Sequence, residues 1–265
     1  MVLLWTDILM YLLFFSIIFS VLYIRRKDHL RRPWKKVVKS KVGVVSMFIL
    51  ATFLVIGLLD SIHYKSSSEG QVISLFDDWV SPIRTHSEKT YSAPFAVFAY
   101  AKEMQQQPDG KTSWSYPPLI YGGAHLLSPA DKSEDILAKA SWGGLKGMGV
   151  WLVIAVIMLG LSKKKRSELT ILLKYSLISL FLILTISFVV AELSSYYHVL
   201  GTDKVGEDVL YQGLKSIRTG LVIGSLTTFV MLPIAIILGL LSGFFRGWVD
   251  DVIQYIYTTL SLFFC

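Results

Sequence analysis

The chain has 265 residues, of which 53% are hydrophobic and 17% are Asp, Glu, Lys or Arg, against about 25% charged in an ordinary soluble domain. With 26 basic and 19 acidic residues the net charge is +7, and the mean hydropathy is +0.56. A soluble enzyme, a nucleic-acid binder and a disordered tail all fit poorly, because the apolar residues are gathered into runs rather than spread.

In chain order these runs cover 8–24, 42–59, 147–161, 175–191, 219–245 and 252–265. A helix rises about 1.5 Å per residue, so about 17–25 apolar residues cross a hydrocarbon layer about 30 Å thick. The third run reaches that length when 141–146 is added, because Lys146 can snorkel to the head groups, and Lys174 extends the fourth back to 169 in the same way. The expectation is an all-α polytopic transmembrane helical bundle of five spans plus a partial sixth, with an external mixed lobe. The sixth run stops at Cys265 without a turn or cap, which reads as a fragment of a longer polytopic protein. The segments are then 1–60, two helices joined by a basic loop; 61–146, an extracytoplasmic lobe; 147–191, a helix pair; 192–218, an external loop and interfacial helix; and 219–265, the start of a further helical core.

Basic residues in short loops are retained on the cytoplasmic side. The loop 25–41 holds nine basic residues and one acidic, and 162–168 holds four and one, which places both inside and the amino terminus outside. Segments 61–146, with eight basic and nine acidic residues, and 192–218, with three and four, then fall outside; 246–251, inside by parity, has one basic and two acidic residues. The first run reads as a retained span, not a signal peptide, since its positive charges follow it and no small-residue cleavage site is apparent. A single cysteine excludes an intramolecular disulfide.

Within 61–146, prolines at 82, 94, 108, 117 and 118 and the pair Gly122 and Gly123 mark turns. A helix is expected in 91–107 after Pro94, and a second over 132–140 starting near Asp131 or Ser133. Gly110, Lys111 and Thr112 spell the end of a P-loop, but Gln105 stands where the earlier glycine is required. Five scattered histidines lack metal-ligand spacing, and no Ser sits in a GxSxG context. Neither a catalytic constellation nor a cofactor or metal site is expected on this chain.

The most informative stretch begins at Leu200, Gly201, Thr202 and Asp203, continues through Gly206, Glu207 and Asp208, and ends in GFFRGWVDD at 243–251. Gly201 and Gly206 permit tight turning, while Glu207 and Asp208 suit the first turn of a following helix. Leu210, Leu214, Ile217 and Leu221 line one face opposite Lys215 and Arg218, as in a short helix on the outer membrane surface that feeds the fifth span. Arg218 is expected to anchor that span at the interface. Two GxxxG pairs, Gly220 with Gly224 and Gly239 with Gly243, admit close helix approach, and Pro233 is a candidate kink.

These residues, LGTDKVGEDVL followed by Arg218, Gly224 and GFFRGWVDD, resemble the C-type inner-membrane permeases of dipeptide and oligopeptide ABC importers, including the microcin-uptake branch. The basic RRPWKK stretch leading into the second span resembles the amino-terminal region of that family. Glu207 stands where the family usually has arginine, Arg246 where it has glycine and Tyr255 where arginine is common, and the first, third and fourth spans are additions to the six-helix plan. The family's cytoplasmic coupling helix would lie beyond residue 265.

The resemblance implies a peptide-importing permease subunit in a bacterial inner (cytoplasmic) membrane. It would work with a second permease subunit, ATP-binding-cassette ATPase subunits that hydrolyse ATP separately, and a periplasmic or extracellular peptide-binding protein; nucleic acid is not an expected partner. Leu200, Gly201, Thr202, Asp203, Gly206 and Asp208 become an external gate loop, in which the two aspartates either order the turn or face the cargo. The competing expectation is a non-transporting membrane-anchored sensor or docking protein that uses the 61–146 lobe.

Overall fold

In the computed structural model, residues 4–65, 72–106, 112–126, 128–162, 169–245 and 247–263 are described. Gly110, Lys111, Arg246, Cys265 and the basic stretch 163–168 lie outside them. The chain divides into two units, Met1–Arg218 and Thr219–Cys265.

The first unit opens with α1 (Trp5–Arg26), α2 (Asp28–Lys39) and α3 (Lys41–Ser61). α2 replaces the expected connecting loop. Single extended residues, Lys27 and Ser40, separate it from its neighbours. Beyond α3, β1 (His63–Lys65) and β2 (Val72–Ser74) pair antiparallel with Tyr64 opposite Ile73. Two short helices follow, α4 (Leu75–Trp79) and α5 (Ser81–Thr85). α4 starts in a capping box: Ser74 Oγ accepts from Asp77 N and the Asp77 carboxylate accepts from Ser74 N.

No helix forms in 91–106. That stretch is irregular until β3 (Glu103–Gln106), which pairs antiparallel with β4 (Thr112–Ser115). Its backbone donors are taken by distant carbonyls instead: Phe95 N donates to His198 O, and Ala99 N to Pro117 O. Those pairings outcompete the local helical preference of an Ala-rich segment.

The second expected lobe helix exists, but as the first turns of α6 (Lys132–Ser162), which continues into the third span. A 3-10 turn, Pro129–Asp131, precedes it, and Ser128 Oγ accepts from Ala130 N there. α6 packs along α7 (Leu169–Ser194), and α7 also meets α3. The α6–α7 approach is close: a Cβ on Gly143 would lie 2.8 Å from Phe188 O, and one on Gly147 2.9 Å from Thr185 Cα. Trp151 Nε1 donates to Leu177 O at 2.9 Å, and Lys146 pairs with Glu192 at 2.7 Å instead of standing alone.

The core of the lobe side is Phe76, Val80 and Ile83, against which Ile56, Leu59, Leu210, Tyr211 and Leu214 pack. The last three come from the start of α8 (Val209–Phe245). Two residues of the expected apolar face, Leu210 and Leu214, thus pack against protein, and the short helix expected there is the opening of one 37-residue helix.

The second unit holds the remainder of α8, which runs through Pro233, and α9 (Trp248–Phe263) after a turn at Gly247. Ser242 Oγ donates to Asp250 Oδ1 across that turn.

Among the described residues five helices, α1, α3, α6, α7 and α8, are long and apolar enough to cross a membrane. Large apolar side chains face outward along them, among them Phe15, Leu50, Val156, Ile186 and Phe229. Water would penalise such surfaces, whereas lipid tails match them.

Candidate functional site

Residues 200–208 form a compact turn held against the lobe. Gly201 and Gly206 have φ of +78° and +85°, and a Cβ on Gly206 would stand 1.8 Å from Glu88 O. Only glycine satisfies both the conformation and the approach. Glu88 N donates to Gly206 O at 2.9 Å, and Thr202 N to Ser92 O at 3.3 Å. The Thr202 hydroxyl donates to Thr90 O at 2.8 Å and lies 3.0 Å from Ser92 Oγ.

Both aspartates order the turn. Asp203 Oδ1 accepts from Val205 N and Glu207 N, and its Oδ2 accepts from Gln212 Nε2. The Gln212 bond, aided by those backbone donors, holds this carboxyl below its ordinary range. Asp208 precedes α8 rather than lying in its first turn, and its Oδ1 accepts from Leu210 N at 2.8 Å and Tyr211 N at 3.3 Å, as an N-cap does.

His198, which is buried, links this cap to the lobe. Its Nδ1 is 2.7 Å from Asp208 Oδ2, and its Nε2 is 3.4 Å from Glu88 Oε1, an ion-pair separation without an aligned hydrogen bond. Burial pulls the imidazole down, but the hydrogen bond to Asp208 and the charges of Asp208 and Glu88 outweigh it and raise the pKa to about 9. Glu88 is a hub: its carboxylate accepts from Ile120 N, Tyr121 N and Gly122 N. Burial acts to raise it, but His198 and the three backbone donors hold it below the usual glutamate range.

A second buried cluster ties three helices together. The Arg218 guanidinium on α8 binds Asp7 and Thr6 of α1 and comes within 3.7 Å of Asp60 at the end of α3. Asp7 also faces His63 Nδ1 at 3.1 Å, and Asp60 accepts from Ser74 Oγ at 2.8 Å. One turn earlier on α8, Lys215 donates to both Asp77 oxygens and to the Tyr211 hydroxyl. The start of α1, the end of α3 and the opening of α8 therefore lie on one side of the unit.

The residues of the 200–208 turn divide by exposure. Gly201, Thr202, Gly206 and Asp208 are buried, Asp203 is half-buried, and Leu200, Lys204, Val205 and Glu207 are exposed. Around Gly220, Gly224, Gly239 and Gly243 the space within 4 Å of an added Cβ is empty. Among the described residues no His, Cys, Asp or Glu group could hold a metal ion. A cavity of about 290 Å³ lies between Glu88–Thr90, β3 and 117–120.

Sequence reasoning passed over Glu88, His198 and the Gly143–Gly147 pair. The last was visible as a third GxxxG, whereas the hub and its imidazole lie 110 residues apart, with no local pattern to join them.

This architecture is that of a multi-pass membrane protein. Part of the chain is similar to permease proteins of glutathione and oligopeptide transport systems. It is 36% identical over 66 residues to the glutathione transport system permease protein GsiD of Pectobacterium atrosepticum, covering 25% of this chain and 22% of that protein. It is 34% identical over 59 residues to the oligopeptide transport system permease proteins OppC of Mycobacterium bovis and Mycobacterium tuberculosis, covering 22% of this chain and 20% of each. The chain thus spans about a fifth of the length of the curated relatives it matches. No protein-family profile and no solved structure matches it.

Proposed function

We propose that this chain is a membrane-spanning permease subunit of an ABC importer that takes up peptides by alternating access. The observation that carries the reading is the homology to glutathione and oligopeptide permeases, supported by the five apolar helices. Separate ATPase subunits would drive the cycle, a second permease subunit would complete the pathway, and an external peptide-binding protein would deliver cargo. The membrane is the bacterial inner membrane, with the amino terminus and the 200–208 turn outside.

In this reading the turn is the outer gate. Asp203 and Asp208 shape it through their backbone and side-chain bonds, leaving the exposed Leu200, Lys204 and Val205 to meet cargo. The link from Glu88 through His198 to Asp208 favours a lobe that works with the gate over one that senses independently. The glycines of the second unit offer open surface to a second permease subunit.

The test is uptake of a labelled di- or oligopeptide by cells with and without the gene, together with co-purification of a P-loop ATPase in mild detergent. Loss of uptake on deletion, restored by the gene, supports the proposal. Unchanged uptake with no ATPase bound overturns it. Labelling of Lys204 by an impermeant amine reagent in intact spheroplasts tests the orientation separately; labelling only after lysis reverses it.

A further inference from the structure

We infer that α2 is a docking surface for anionic phospholipids, lying in the membrane interface with its apolar stripe in the acyl boundary and its basic face against phosphate headgroups. The evidence is independent of the transport reading.

The first observation is the pattern. Leu30, Pro33, Trp34, Val37 and Val38 recur at i, i+3, i+4, i+7 and i+8, which gathers them into an arc of about 140° at about 100° per residue. Arg31, Arg32, Lys35, Lys36 and Lys39 take the opposite face. The second is exposure: Trp34 is 54% and Val37 43% exposed, Pro33 is exposed and Leu30 and Val38 are half-buried, so the protein leaves the middle of this stripe open. The third is placement. Arg26 closes α1 and Lys41 opens α3, two helices of spanning length, and one residue at each end joins them to α2. Joints this short hold α2 at the level where both spans leave the hydrocarbon.

Charge selects the lipid class. The stretch 25–41 carries nine basic residues against Asp28 alone, and among the described residues Arg31, Arg32, Lys35 and Lys36 have no ion-pair partner. Guanidinium groups bind phosphate oxygens in a two-pronged fashion, and basic residues at an anionic leaflet gain attraction that neutral headgroups do not offer. A basic helix with an aromatic and aliphatic reverse face is the form that lies in such an interface.

The full chain, purified in detergent, is equilibrated with equimolar phosphatidylglycerol and phosphatidylcholine, and the retained lipids are counted by native mass spectrometry. The wild type is expected to enrich phosphatidylglycerol, and the variant Arg31→Gln, Arg32→Gln, Lys35→Gln, Lys36→Gln to lose that enrichment by about threefold or more. A matched variant with Lys65, Lys89, Lys102 and Lys204 changed to Gln should keep it. Circular dichroism and thermal unfolding confirm that each variant is folded. In a Cys265→Ser background, a dye on Trp34→Cys should be quenched by lipid-borne quencher more strongly in phosphatidylglycerol vesicles than in phosphatidylcholine vesicles.

The inference is overturned if the α2 variant keeps the wild-type selectivity, if the matched variant loses as much, or if excess inorganic phosphate removes the preference. It is equally overturned if the α2 variant keeps its lipids but loses an acidic soluble protein, because the basic face then serves that protein.

Discussion

His198 Nδ1 lies 2.7 Å from Asp208 Oδ2, so the residue that caps α8 also grips the imidazole facing Glu88. A cation held between two carboxylates joins a turn near residue 200 to a lobe built more than 100 residues earlier. Charge, not shape alone, keeps the two together.

That arrangement carries a pH signature. A histidine raised from 6.5 to about 9 contributes its stability in full below pH 6.5, and the contribution is lost as pH rises through 9. The shift corresponds to about 3 kcal/mol. Hydrogen exchange at the Ile120, Tyr121 and Gly122 amides is expected to accelerate between pH 7 and 10 beyond the intrinsic base-catalysed rise. His198→Gln should start less protected and show no such extra dependence; an unchanged profile in that variant would contradict the role.

Gly206→Ala should unfold the turn. The added Cβ would stand 1.8 Å from Glu88 O at φ +85°, and a backbone atom cannot step aside as a side-chain tip can. A loss of about 3 kcal/mol or more is expected, read as a fall in melting temperature in detergent. Gly213→Ala, with open space around it on α8, should instead be neutral or stabilising by up to about 1 kcal/mol.

Removing the Arg218 charge leaves Asp7 and Asp60 buried without their shared cation. Arg218→Gln is therefore expected to cost about 3–5 kcal/mol. Combining it with Asp7→Asn should recover part of that loss, because one stranded carboxylate is gone. Equal melting temperatures for the single and double variants would show that Asp7 carries little of the coupling.

Helix-facing glycines should separate into two classes. Gly143→Leu and Gly147→Leu push directly into α7 backbone and should lower the melting temperature of the chain itself. A Cβ added at Gly220 or Gly224 meets nothing within 4 Å, so for Gly220→Leu and Gly224→Leu stability should stay within about 0.5 kcal/mol. If these glycines face a second permease subunit, only the latter pair will reduce its co-purification without destabilising the chain.

The spans were legible because an uninterrupted apolar run is a one-dimensional property, and α1, α3, α6, α7 and α8 all arise from such runs. The turn at 200–208 was legible through its glycines. α2 was passed over although its i, i+3, i+4, i+7, i+8 stripe is written in the sequence, because its density of basic charge reads first as a loop. The irregular course of 91–106 was not legible: its backbone partners, His198 O and Pro117 O, come from segments that local propensity does not see. The same holds for Glu88, whose carboxylate gathers three amides some 33 residues away.

The tie between Arg218 and Asp7 spans 211 positions of chain, and this sets an order on biogenesis. At about 5–20 residues per second, the ribosome delivers the arginine about 10–40 s after the aspartate has entered the translocon. Asp7 throughout that interval, and Asp60 through the later part of it, await their cation, so this tie closes only once Arg218 emerges. A product stalled before Arg218 would display those carboxylates without the guanidinium that pairs them.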